Sequence, residues 1–522
     1  MTKDHSRNMV KLPNMEHLKC APKASGLRTT EAVKQGGHVR SRSLGAFLSL
    51  LLCLTAGVLH AQVCACEQAF RSVRAYFEEN HPGYNAMDPH ERARVNATAD
   101  ALAQEVARQR PEAECILYLQ RYVRLLRDNH SHIDAVLPAQ QDVNEDDPEA
   151  LAAFRKSEAF RSTERMPLDT TQVLPRLRAL PLDSWEGLWS DRNGTYILAV
   201  VRRGAPHHDL AGVVVSSKSQ CWEAGQVKLT LKPLGDHRHA CTMRTRVHGT
   251  VCSIVTVRSG QMSTFGLRKV ELWKKEAPST PPYQFQRIDS STVMLRIGSF
   301  DGGLLAQLDS FYRAHDAEIR ASEDLIIDVR GNGGGSEACW TGLLPYFYTA
   351  PIELDRTELL VAPGNIARYR ERLAVMRADS VNYGSQAIAS MHAMVQRMEG
   401  SPIGTFIPQF AQAPEPIVLD TVLARPEQVW ILQDRQCASA TESLLYYAGK
   451  NSKVTTLGTR SGGYLGFGNV LPTTVCGYPL GCTTTRYHDL AQYEFVGIPP
   501  ELEVAPSEDA LERVLELIGH AR

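Results

Sequence analysis

The chain has no long basic run and no interleaving of basic with aromatic residues, and its 57 Lys+Arg against 58 Asp+Glu leave a formal charge of −1. Nucleic-acid binding needs a concentrated cationic face and is therefore not expected. No apolar stretch reaches the ~20 residues of a bilayer span; the most apolar, Leu44 to Leu59, is shorter, so no membrane span is expected once it is removed. No Gly-Lys-Ser/Thr follows the glycine-rich stretch at 331–335, which excludes a phosphate loop. No Cys/His pair has zinc spacing, although His132 with His207-His208, or with His237 and His239, leaves a metal reading to weigh; neither metal nor cofactor is expected. Finally, no lysine stands between Val454 and the C-terminus.

Cysteine, by contrast, is plentiful at 12 residues. The N-terminus suggests why. Arg40 and Arg42 precede the apolar run, which closes at Leu59-His60-Ala61-Gln62, the order of charged, hydrophobic and cleavage regions in a secretory signal. Cleavage is expected after Ala61. It would leave ten cysteines and, with nine basic and three acidic residues gone, a net charge of −7. A periplasmic or secreted, oxidising location with disulfide bonds follows from that reading. Cys476 and Cys482 flank the turn-rich Gly477-Tyr478-Pro479-Leu480-Gly481 and are the expected local bridge.

Beyond the N-terminal extension, residues 1–61, three regions differ in period. Residues 62–180 read as a helical cap, with Leu102, Val106, Ile116, Leu117, Leu119, Tyr122, Val123 and Leu126 recurring at three- and four-residue intervals. Within it, Asp142 to Pro148 reads as a solvated acidic linker. Residues 184–280 hold short alternating strands, among them 194–201, 210–215, 225–231 and 250–257, which predict a small antiparallel β barrel or sandwich. From 285 to 522 strands alternate with helices, the pattern of an α/β core with a mainly parallel sheet. Residues 351–415 form a partly helical insertion expected to lid the site.

Two stretches of the core carry chemistry. Leu325-Ile326-Ile327-Asp328-Val329 runs into Arg330-Gly331-Asn332-Gly333-Gly334-Gly335, where glycines leave backbone N–H groups open to an anion. Later, Ile431-Leu432-Gln433-Asp434 leads to Cys437-Ala438-Ser439-Ala440-Thr441-Glu442 and a helix-like run, so a second strand delivers a small hydroxyl to a helix start. Alone, Ser439 reads equally as a helix N-cap. Together the two look like an oxyanion cradle, from Gly333, Gly334 and the N–H of Ala440, and a serine nucleophile.

At these residues the chain resembles the tail-specific (C-terminal processing) serine peptidase family. The likeness continues through Val454 to Gly463, through Tyr493 to Glu501 and through Val293 to Phe300. It implies a ClpP/crotonase-like core and hydrolysis of peptide or unfolded-protein substrates. The family's better-known branch has a lysine base where this chain has Tyr464, which reads as an apolar filler or as a hydroxyl lining the pocket. Its histidine-using, tricorn-like branch takes a base from upstream, and Leu125-Leu126-Arg127-Asp128-Asn129-His130-Ser131-His132 resembles that motif, mapping His130 onto the base. Asn129 or Ser131 is implied to orient it, and Glu494 to complete the relay. Asn129-His130-Ser131 is also a glycosylation sequon, and a glycan there would crowd the base, which favours a compartment without N-glycosylation. No carboxylate loop of the PDZ module common in the family precedes the core. The alternatives are a non-catalytic binder of apolar ligands or peptides on the same fold, and a hydrolase of non-peptide esters or amides.

Overall fold

Apolar runs set the centre of the molecule. The structure, a computed structural model, describes residues 64–521 except 110–111, 138–141, 205–208, 259, 274–281, 412–413 and 506–507. The signal segment with its cleavage site, and the pair His207-His208, lie outside the described residues.

Six strands form the central sheet in the order Tyr283–Arg287, Thr292–Ile297, Asp324–Asp328, Gln428–Gln433, Val454–Gly458 and Leu502–Glu503. The first pair is antiparallel and the other four pairs are parallel. Strands covered on both faces lose polar alternation. Val293, Leu295, Leu325, Ile327, Val429 and Ile431 face one apolar cluster, and Met294, Ile326, Leu432 and Leu457 face another that Val514 and Ile518 of the helix Ala510–Ala521 cover. Because these neighbours run the same way, the loops after Asp328, Gln433 and Gly458 open at one edge of the sheet. Crevices outside such carboxyl ends are where α/β folds bind ligands.

Residues 187–269 close into an eight-stranded antiparallel barrel, from Gly187–Ser190 to Arg268–Lys269. The helices Cys66–Asn80, Pro89–Gln109 and Cys115–Leu125 pack into a separate cluster, and all eight apolar positions read from the sequence are buried there. The helices Pro148–Lys156 and Glu158–Arg161 instead send Leu151, Phe154 and Phe160 into the barrel's core, so by packing they belong to the barrel rather than to the cap. Nor is the acidic segment before them free: Glu145 accepts from Arg246 (2.5 Å), Ser219 Oγ (2.7 Å) and the Gln220 N–H (2.6 Å), and Asp142 also pairs with Arg246.

Two further expectations change. The insertion docks on the cap, where Asn80 Oδ1 accepts from the Gly364 N–H and Asn365 donates to Asn80 O; none of its described residues lines the catalytic cleft. Cys476 bonds to Cys64, and Cys66 to Cys115, while Cys482 is free and buried. The reason is register. Cys476 sits at the turn of the hairpin Leu471–Val475/Tyr478–Cys482, and Cys482 lies at its far end opposite Leu471. At roughly 3.3 Å per residue of extended chain the two are beyond disulfide range. The hairpin also receives the strand His132–Ile133, with His132 opposite Gly481, and so draws the histidine segment toward the core.

Candidate active site

The nucleophile side is built from two adjoining loops. After the strand Asp324–Asp328, Asp328 takes Arg330 bidentately at 2.9 Å and Arg296 at 2.7 Å, fixing the start of the turn. Asn332 braces its middle, donating to Ile297 O and accepting the Gly334 N–H at 2.9 Å. Gly334 has φ +90°, and a Cβ there would lie 2.3 Å from Ala438 O and 3.0 Å from Ala440 N, so only glycine lets the two loops touch. Ser439 itself has φ +54° and ψ −120° just before the helix Ala440–Ala448. A non-glycine residue in that region carries strain of order 1–3 kcal/mol and persists only where its surroundings enforce it.

Glu442 supplies the enforcement. This buried carboxylate accepts from the N–H groups of Ser439 (3.1 Å), Gly463 (2.8 Å) and Tyr464 (2.7 Å) and from Ser461 Oγ (2.5 Å). Burial raises its pKa, while those four donors favour the ionised form. Nearby Cys437 is not a rival nucleophile. Its thiol is buried against Val329 O, and burial pushes its pKa well above the ordinary thiol range.

The histidine side is held by different carboxylates. Asp128, fully buried, accepts from His81 Nε2 (2.9 Å), the His130 N–H (2.8 Å), Ser131 Oγ (2.6 Å) and Thr483 Oγ1 (2.7 Å). His81 Nδ1 accepts the Tyr84 N–H, so its proton sits on Nε2. Burial alone would raise the pKa of Asp128, but the bond from His81, with the two imidazoles of His81 and His130 nearby, holds it well below the usual carboxylate range. Asn129 bridges the two sides, its Nδ2 donating to Gly463 O at 2.6 Å and its N–H to Glu494 Oε1 at 2.8 Å.

The result is a cleft of about 470 Å³ in which His130 and Ser439 share the lining with Gly333 and Tyr464. The half-buried His130 ring packs edge-on against Tyr464, centroids 5.4 Å apart. Burial lowers its pKa, partly opposed by Asp128, which keeps the imidazole neutral and able to accept a proton near pH 7. Its Nδ1 has no hydrogen-bond partner among the described residues. Hence neither Asn129 nor Ser131 hydrogen-bonds the imidazole at Nδ1, and neither does Glu494. Glu494 spends its oxygens on the N–H groups of Asn129 and Gly466 (2.7 Å), and burial, with Asp128 and Glu442 nearby, pushes its pKa up to about 8. Of the expected oxyanion donors, Gly334 is engaged by Asn332, which leaves Gly333 and Ala440.

Several residues that line or support the cleft were not singled out from the sequence. Asp128 lies inside the histidine motif and Glu442 three residues after Ser439, so both were within reach. Arg258, at the end of a barrel strand, and Arg435 carry no local signal at all. Among the described residues no three metal-ligating side chains gather to hold an ion. There His132 Nδ1–H donates to His130 O and His239 packs at a tilt against Trp185.

A cleft at the carboxyl edge of a parallel sheet, with a strained serine, a neutral histidine and open N–H groups, defines a hydrolase of the serine type. Comparison with known proteins gives one family match. Residues 291–504 match the model of peptidase family S41, which supports a serine peptidase. Among solved structures, the chain is similar to mature CPAF at 11% identity and a TM-score of 0.41, covering 84% of this chain and 93% of that one. It is also similar to the photosystem II D1 C-terminal processing protease, at 12% identity and TM-score 0.33 over 88% and 98% of the two chains. Tricorn protease matches at 10% identity and TM-score 0.29, over 87% of this chain and 37% of that one. No curated protein matches by sequence. Among the described residues, no helix is long and apolar enough to cross a membrane.

Proposed function

We propose that the protein is a secreted or periplasmic serine endopeptidase acting on peptides or unfolded proteins through a Ser439–His130 centre. Ser439 Oγ attacks the scissile carbonyl while His130 takes its proton, and the N–H groups of Gly333 and Ala440 hold the developing oxyanion. His130 then protonates the leaving amine, and water, deprotonated by the same imidazole, hydrolyses the acyl-enzyme. The observation that carries this reading is that one cleft holds a serine in an enforced positive-φ turn and a histidine from far upstream. Asp128 and Glu494 act as positioning residues for the histidine loop, and Glu442 for the serine turn. The bonds Cys64–Cys476 and Cys66–Cys115 support an oxidising compartment.

Labelling of the mature protein with a fluorophosphonate probe tests the centre. Wild type is expected to label at Ser439 and to digest casein, and Ser439→Ala and His130→Ala to lose activity by on the order of 10⁴-fold. Labelling indifferent to both substitutions would refute the centre. No labelling would favour a binding protein, and turnover of esters without casein would move the substrate class.

A further inference from the structure

The same cleft carries positive charge that no described carboxylate neutralises. Arg258 ends the barrel strand Thr250–Arg258, and Arg435 lies in the turn before Ser439; both line the cleft beside His130 and Ser439, and no carboxylate lines it. No described side chain pairs with either guanidinium. Glu442 and Glu494, close by, are buried and already bonded to backbone N–H groups. The cationic surface continues away from the cleft. Arg124 on the cap lies near both Arg258 and the barrel's Arg238, and its pKa is lowered first by partial burial of the guanidinium and then by these two like charges. Arg121, Arg124 and Arg238 in turn border a groove of about 290 Å³ floored by Leu102 and Leu125. Arg121 pairs with Glu105 at 3.4 Å and Arg238 with Asp236 at 3.2 Å, whereas Arg258, Arg435 and Arg124 have no carboxylate partner among the described residues. The repulsion among these cations raises the energy of the unliganded surface and is relieved when an anion arrives. The molecule as a whole is close to neutral, at −1, so this strip supplies a local positive field that draws an acidic chain.

We infer that the preferred substrates carry Asp or Glu side chains flanking the scissile bond, read by Arg258 and Arg435 at the cleft and by Arg124 and Arg238 beyond it. This rests on the serine-peptidase reading of the cleft and names its substrate class. The barrel is then the specificity module of the enzyme, since it contributes two of the four cations.

The test uses quenched fluorescent peptides of one core sequence, flanked by Glu or by Gln, with amidated C-termini. Wild type is expected to favour the Glu-flanked peptide by about tenfold or more in kcat/KM at low salt, chiefly through KM, with the preference shrinking as salt screens the charges. Arg258→Gln and Arg435→Gln should each reduce that ratio several-fold, whereas Arg258→Lys should retain most of it. In parallel, anisotropy on Ser439→Ala protein should show tighter binding of the Glu-flanked peptide. Equal turnover and equal binding of the two peptides would overturn the inference, as would a preference that survives the double Arg→Gln variant or appears only with a free C-terminal carboxylate. Wild-type protein that neither labels with fluorophosphonate nor cleaves either peptide would refute the peptidase reading, while the binding comparison would still decide whether the strip recognises acidic chains.

Discussion

The two halves of the cleft are built by opposite means. Around Ser439 everything is local to the core: two adjacent parallel strands end side by side, Gly334 presses on the serine turn, and Glu442 ties that turn to residues 461–464. Around His130 nothing is local. The histidine arrives on a segment whose anchors are a cap histidine, Thr483 on the hairpin side and Glu494 near the C-terminus. Its ring is positioned by backbone bonds and by the edge of Tyr464 rather than by a bond to Nδ1. A half made of strands hydrogen-bonded side by side in one sheet is rigid by construction, whereas a half made of docked segments is only as well placed as its buried polar contacts. The Ser439 side should therefore fail as chemistry and the His130 side as folding.

Asp128→Ala tests the second statement and should give the largest effect. It strands His81 and removes an acceptor from three other buried donors, a loss of about 3–5 kcal/mol by analogy with breaking buried ion pairs. Urea unfolding would measure it. A change below about 1 kcal/mol would mean that the cap does not hang on this carboxylate. Next comes Gly334→Ala, where the added methyl meets Ala438 O and displaces the Ala440 N–H. Loss of an oxyanion donor's geometry raises the barrier by about 3 kcal/mol, or about 10²-fold in kcat. Stability should suffer less than catalysis, and the reverse order would break the contrast between the two halves.

That asymmetry also explains what could be read from the chain alone. The strand-and-loop pairing around Ser439 is written in contiguous motifs, so the serine, the glycine turn and the alternating α/β core were legible. His130 was found only through its resemblance to a motif. Which atoms hold it was not legible, because the anchors lie hundreds of residues away and depend on how cap, hairpin and core dock. Glu494 shows the limit well: its place near the site was readable, but not that its oxygens face the Asn129 and Gly466 N–H groups. The disulfides failed for the same reason, since Cys476 finds Cys64 across a separation of 412 residues rather than its neighbour in sequence. Arg258 and Arg435 had no motif to announce them.

The smallest effect expected separates the halves by pH. Glu494 has a folded pKa of about 8 against an ordinary value near 4.5. The folded state thus holds a proton that the unfolded state releases, and the associated stability is fully present below about pH 4.5 and lost as pH rises toward 8. His130, with its pKa lowered on folding, gives the opposite slope, but only below its ordinary value of about 6.5. Between about pH 6.5 and 8 the Glu494 contribution stands alone of the two, at up to about 1.4 kcal/mol per pH unit. Glu494→Gln cannot titrate, so its unfolding free energy should sit lower, for want of one acceptor. The wild-type-minus-variant difference should shrink as pH rises across that window, whatever slope Lys228 and Lys269 with their lowered pKa values add to both proteins. Urea melts at half-unit pH steps would show it. If that difference stays constant with pH, the proton belongs to another group, and the histidine side is steadier toward alkali than its buried carboxyl suggests.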